Sequence, residues 1–215
     1  MSDSAEALYL AESGALFQQY REVVKPLLAL VEAEYERFPI PVYNEVRSFV
    51  DHLSRCYDAD GIVCDEDLVR DQLVKASHHI KRTIYDLYKL LIICGKEEVE
   101  RFERKTRMLD LRTIDSNGSF SSCYEKGRQR AVTLTRQAKE TEATGDTLAT
   151  YEAYDRAYQA YLDLHHLIED NDSSLHKAKV KWLAGKVLSP ILFVAGVIVS
   201  PYIESAWNAL LAFFF

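Results

Sequence analysis

From Val42 to Ser189 the chain contains no proline, and this absence constrains the fold more than any motif does. Proline interrupts helices because it lacks an amide N–H and its ring meets the carbonyl four residues earlier. A proline-free run of this length leaves room for long helices, and apolar residues recur along it at steps of three and four. The stretch that starts near Asp65 is the clearest case. Val69, Leu73, Ala76, Ile80, Ile84, Leu87, Leu91 and Cys94 form one stripe, and Tyr85, Tyr88 and Ile92 form a second. A helix apolar on two sides is enclosed by neighbours. Strand-type alternation is absent, so the expected class is all-α: a bundle of long helices.

The remaining elements follow from the same spacing. Ala5 to Arg37 reads as helix, capped by Ser2 or Ser4 and kinked or divided at Pro26. Phe38-Pro39-Ile40-Pro41 breaks it, because the residue before each proline is pushed towards extended backbone. A second helix should run from about Pro41 to Tyr57, with Val42, Val46, Phe49, Val50, Leu53 and Tyr57 on its apolar face. Asp58-Ala59-Asp60-Gly61 is a turn, and Ser116-Asn117-Gly118-Ser119 is a loop after the charged continuation from Lys96 to Arg112. Two more helices cover about Ser121 to Glu142 and Asp146 to Ile168. The latter carries a heptad seam, Tyr151, Tyr154, Tyr158, Tyr161, His165 and Ile168. Tyrosines let such a seam pack while their hydroxyls reach polar partners.

After Lys181 the chain changes character. Only Lys186 and Glu204 are charged in the rest of it, and Leu183 to Ile203 is an apolar stretch of 21 residues. About 20 apolar residues in a helix cross a hydrocarbon core of roughly 30 Å. Pro190 and Pro201 are compatible with that, since membrane helices tolerate proline. Trp182 and Tyr202 stand near the two ends, where interfacial aromatics belong. Leu183, Phe193, Gly196 and Ser200 lie within the span. Lys177, Lys179, Lys181 and Lys186 crowd its amino-terminal flank, which by the positive-inside rule puts the preceding bundle in the cytoplasm and the lysines near anionic headgroups. The expected organisation is therefore a bundle over residues 1–181 and a membrane segment over 182–215, with the lipid bilayer as partner. Ser205 to Phe215 is too short to span again; it would lie in the interface, re-enter, or pack against the first segment. Gly185/Ser189 and Gly196/Ser200 are small pairs four apart, a spacing that permits close helix approach and a homo-oligomer.

The formal charge of −7 does not favour a dedicated nucleic-acid binder. Cys56, Cys64, Cys94 and Cys123 form no CxxC pair or zinc spacing, so free thiols in a reducing compartment are expected. The acidic start, Met1-Ser2-Asp3, has neither the basic nor the apolar region of a signal peptide. No phosphate-binding loop, dinucleotide fingerprint or nucleophile triad is found, and neither a cofactor nor a metal is expected. Adjacent histidines, His78-His79 and His165-His166, point about 100° apart on a helix and do not chelate one ion together. His79 is nonetheless free to meet another histidine across the bundle.

One motif carries chemistry. Arg47-Ser48-Phe49-Val50-Asp51-His52 resembles the Arg-x4-His motif of HEPN domains, all-α bundles that often dimerise. The resemblance implies a metal-independent endoribonuclease in which His52 moves a proton and Arg47 stabilises phosphate charge. The same residues also read as a solvated face, with Arg47–Asp51 and Asp51–Arg55 at ion-pair spacing. A helical HEPN-like domain joined to a membrane segment is similar in outline to the pore-forming accessory proteins encoded beside type VI-B CRISPR nucleases. It implies a non-enzymatic, oligomeric effector that perturbs membrane permeability in bacterial antiphage defence. A membrane-tethered ribonuclease remains open, as does a tail-anchored adaptor whose Tyr seam binds a protein partner.

Overall fold

The computed structural model describes residues 2–35, 39–115 and 117–214. The described residues are helical almost throughout, with no strand beyond an isolated bridge between Tyr57 and Val63. The all-α expectation holds. The elements are α1 (Ser2–Gln19), α2 (Lys25–Tyr35), α3 (Ile40–Ser54), α4 (Glu66–Thr106), α5 (Ser119–Thr144), α6 (Thr147–Asp170), α7 (Asp172–Leu183) and α8 (Ser189–Phe214). The expected helix end at Arg37, Phe38 of the break and Ser116 of the loop lie outside the described residues.

Pro26 does not divide the first helix. Instead a single π turn, Tyr20–Val24, joins α1 to α2, and the amide of Lys25 donates to the carbonyl of Tyr20, one residue further back than in an α-helix. The carbonyl that the Pro26 ring would meet, that of Glu22, sits inside this widened turn. The same solution recurs at the other end of the chain. A π turn over Ala184–Leu188 joins α7 to α8, and the carbonyl four before Pro190 is that of Lys186, again inside the turn. Nor does a serine cap the first helix as expected: the helix already includes Ser2, and the Ser4 hydroxyl donates to Glu66 of α4 at 2.9 Å.

By contact the chain divides into two units, Met1–Phe102 with Glu125–His166, and Glu103–Tyr124 with Leu167–Phe215. In the first, the stripe on α4 from Val69 to Leu91 is buried as expected, together with Tyr85, Tyr88 and Ile92, and Cys94 is half-buried. Phe17 of α1 and Tyr20 of the π turn meet Phe49 of α3, and Tyr9 packs edge-on against Tyr57. α3 is shorter than expected and ends at Ser54. Val42, Phe49 and Leu53 are buried, but Val50 is 54% exposed and Tyr57 has left the helix for the bridge. One step of helix turns Val50 about 100° away from Phe49, and that places it outside the face covered by α1 and α4.

Two glycines set how closely the helices approach. A Cβ on Gly95 of α4 would lie 2.7 Å from the Cβ of Tyr161 on α6, and one on Gly127 of α5 would lie 2.5 Å from the Cδ1 of Leu164. Helix α6 thus presses on bare backbone of both neighbours. In the second unit Phe120 stacks on Tyr124, whose hydroxyl donates to Glu103 at 3.2 Å, and Leu175 of α7 is buried.

Candidate functional site

The carboxy-terminal helix is the most distinctive feature. Asp172–Ser205 is long and apolar enough to cross a bilayer, and none of its most apolar window is buried within the chain. Leu192, Phe193, Ile198 and Tyr202 are 69, 73, 62 and 74% exposed, and Pro190, Gly196, Ser200 and Pro201 are exposed too. A very apolar helix in the core of a soluble bundle would be buried. Helix α8 continues through Pro201 to Phe214, so Ser205 onward prolongs the same helix and does not fold back on it. The rise from Lys186 to Glu204 is about 27 Å at 1.5 Å per residue, close to the thickness of a hydrocarbon core.

The flanking lysines are all exposed. Lys177 and Lys181 share one side of α7 and Lys179 points roughly opposite, by the 100° step of the helix. They form a collar around the axis. A helix lying flat in the interface concentrates its cations on one polar face, whereas a collar suits a helix that enters the membrane end-on. Trp182 is half-buried and Leu183 is half-exposed at the foot of the span. By contact α7 groups with α8.

Arg47 and His52 lie on α3, and the structure does not bring them together. Arg47 is exposed, and Asp51 pairs with Arg55 at 2.7 Å, not with Arg47. His52 instead faces α4. Its Nδ1 lies 2.8 Å from the Oε1 of Gln72, and its ring stacks on that of His79 with centroids 5.1 Å apart and planes 21° from parallel. The Nδ1 of His79 lies 2.7 Å from the Oε2 of Glu45, which is also 3.9 Å from Arg82.

The proton positions follow from the partners. The Gln72 amide nitrogen donates to Asp71 at 3.0 Å, which turns its oxygen towards His52. His52 therefore donates from Nδ1, and so does His79 to the Glu45 carboxylate. A neutral imidazole with its proton on Nδ1 has Nε2 as its acceptor. Glu45 and Gln72 were missed in the sequence, although a signal existed. Glu45/His52 on α3 and Gln72/His79 on α4 each stand seven residues apart, two turns along one face. Paired in opposite order, they cross-link two antiparallel helices.

The Tyr seam of α6 is filled from within the chain. Tyr154, Tyr158 and Tyr161 are buried, and Tyr151 and His165 are half-buried. Tyr85 meets Tyr151 at 5.4 Å, Tyr88 stacks on Tyr154 at 6.4 Å, and His165 pairs with Glu98 at 2.7 Å. The Tyr154 hydroxyl donates to Glu142, which also holds Lys89 at 2.8 Å. Burial pushes the Tyr154 hydroxyl well above its ordinary pKa, helped by that carboxylate. Burial alone would raise the Glu142 carboxyl as well, but the Lys89 ammonium and the Tyr154 hydroxyl bring it below its ordinary value. Lys89 also sits 5.8 Å from the rings of both Tyr85 and Tyr154. A partner helix would have to displace α4 to use this seam.

No family model, characterised protein or solved structure matches this chain. Among the described residues no group of three or more His, Cys, Asp or Glu is placed to hold a metal ion. The functional reading rests on the residues alone.

Proposed function

We propose that this protein is a membrane-inserted helical effector or accessory protein that perturbs bilayer permeability as a homo-oligomer, with its bundle on the cytoplasmic side. The supporting observation is the α8 helix, whose large apolar side chains stand exposed over the length that a bilayer would cover. Water does not tolerate a patch of that size on a monomer, and lipid does. The lysines support that side: by the positive-inside rule Lys186 and the three lysines of α7 stay with the bundle, and Glu204 crosses. Small residues at Gly185/Ser189 and Gly196/Ser200 offer the close approach that a ring of copies would use. The antiphage setting follows from the resemblance to HEPN-like accessory proteins. The test is flotation of the full-length protein with liposomes, followed by alkaline carbonate extraction and dye release. An integral permeabiliser floats, resists carbonate and releases dye; a protein that stays at the bottom of the gradient refutes the proposal.

A membrane-tethered HEPN-type ribonuclease is the second reading, because Gln72 orients the His52 ring through Nδ1 at 2.8 Å and no protein group is placed on Nε2 among the described residues. It requires RNA cleavage that His52→Ala and Arg47→Ala both abolish; cleavage unaffected by either substitution removes it.

A further inference from the structure

The turn between α3 and α4 sets Cys56 and Cys64 opposite each other in the backbone, where the Cys56 thiol donates to the His52 carbonyl at 3.7 Å. Asp58 donates its amide to Ile62 at 2.9 Å, and Cys64 donates its amide to Cys56 at 2.9 Å, on either side of the Tyr57–Val63 bridge. This is antiparallel register, with 56 opposite 64, 57 opposite 63 and 58 opposite 62. Directly opposed residues in such a ladder project to the same face. Cys64 donates to Cys56 while the Cys56 amide donates to Leu53, so the pair makes one of the two bonds of a hydrogen-bonded pair; the Cα separations of antiparallel pairs, about 4.5–5.5 Å, fall inside the roughly 4.4–6.8 Å that disulfides span. Cys56 is buried and Cys64 half-buried, and both are free thiols.

We infer that Cys56 and Cys64 form a redox-active dithiol that small-molecule disulfides oxidise to an intramolecular disulfide. The more accessible Cys64 attacks first. Its thiolate displaces one thiolate from the small disulfide RSSR and leaves a mixed disulfide at Cys64. Cys56 then loses its proton to solvent and attacks the Cys64 sulfur, expelling the second RS−. Two protein thiols are oxidised by two electrons, RSSR is reduced to two RSH, and the atoms balance. The order of attack has an electrostatic reason. Burial, reinforced by the neighbouring Cys64, raises the Cys56 thiol above its ordinary pKa, so it is the poorer first nucleophile.

The closed disulfide would tie the carboxy-terminal end of α3 to the amino-terminal end of α4. These are the two helices that the His52–His79 contact joins. The inference does not depend on the membrane reading, since it concerns only the first unit.

The test uses the full-length chain with Cys94→Ser and Cys123→Ser, which removes the two thiols outside the pair. Oxidised glutathione is the probe. Both cysteines fall in one tryptic peptide, Cys56 to Arg70. The expected product is that peptide lighter by two hydrogens, resistant to alkylation, free of glutathione and restored by dithiothreitol. Adding Cys56→Ser should trap one glutathione on Cys64, whereas adding Cys64→Ser should slow the reaction by about tenfold or more. Glutathione that persists on Cys64 beside a free Cys56 thiol overturns the inference, as does a peptide that stays fully reduced.

Discussion

His52 and His79 stack ring on ring, 5.1 Å apart, while Gln72 and Glu45 hold their Nδ1 atoms. This string is a polar link between α3 and α4, and removing one ring leaves a half-buried partner. His79→Ala leaves Glu45 with only Arg82 at 3.9 Å, and should cost about 1–3 kcal/mol of stability. A double-mutant cycle with His52→Ala should show coupling of about 0.5–1.5 kcal/mol, the range of aromatic pairs. Additive losses in urea unfolding would mean that the rings do not interact.

Gly95→Ala should destabilise more than its gain in helix propensity. The new methyl would meet the Tyr161 Cβ at 2.7 Å, an atom fixed to the α6 backbone that cannot swing away. Overpacking of this kind costs about 1–3 kcal/mol. A melting temperature equal to or above that of the parent would show that α4 and α6 separate more freely than their packing implies.

The Tyr85 hydroxyl is buried with no hydrogen-bond partner among the described residues. Tyr85→Phe removes the desolvated group and keeps the ring that Lys81 and Lys89 approach. It should leave stability unchanged or raise it by up to about 1 kcal/mol. A clear loss would reveal a partner for the hydroxyl, such as a bound water.

Asp86 and Glu142 should respond to pH with opposite signs. Burial raises the Asp86 carboxyl, and the charges of Glu45 and Glu142 add to this against Lys89 and Arg82. Its ionised form is therefore disfavoured in the fold, and stability is gained as pH falls through the raised value. Asp86→Asn should raise the melting temperature at pH 7, and the gain should shrink towards pH 4. Glu142 is lowered, so its contribution is full above the ordinary carboxylate range and is lost as pH falls through the folded value. Glu142→Gln should lower the melting temperature at pH 7 and matter less in acid. Thermal melts across this range, read for both variants, check the two signs.

Phe193→Lys with Val197→Lys places two charges near the middle of the apolar span. Each costs about 2.5–3.5 kcal/mol at a helix centre in lipid, so the doubly substituted protein should lose flotation and carbonate resistance. Both side chains are exposed within the chain, so the melting temperature of the bundle should not move. Loss of the bundle's cooperative melt would instead mean that α8 packs against it.

The sequence alone determined the helical class, the buried face of α4 and the apolar carboxy-terminal span, because each is written in local periodicity or composition. Val69 to Leu91 recur every three or four residues, and burial followed. The tertiary structure decided what periodicity cannot encode, namely which residue of one helix meets which residue of another. Arg47 and His52 are close in sequence but not in contact, since five residues turn them roughly 140° apart. His52 found His79 on another helix, and Cys56 found Cys64 only because a turn reverses the chain between them. Pro26 shows the same division at the scale of one turn: its ring required a break in the regular hydrogen bonds, and the packed helix met that need with one wide turn instead of a loop. Helical spacing fixes a face; only packing fixes its partner.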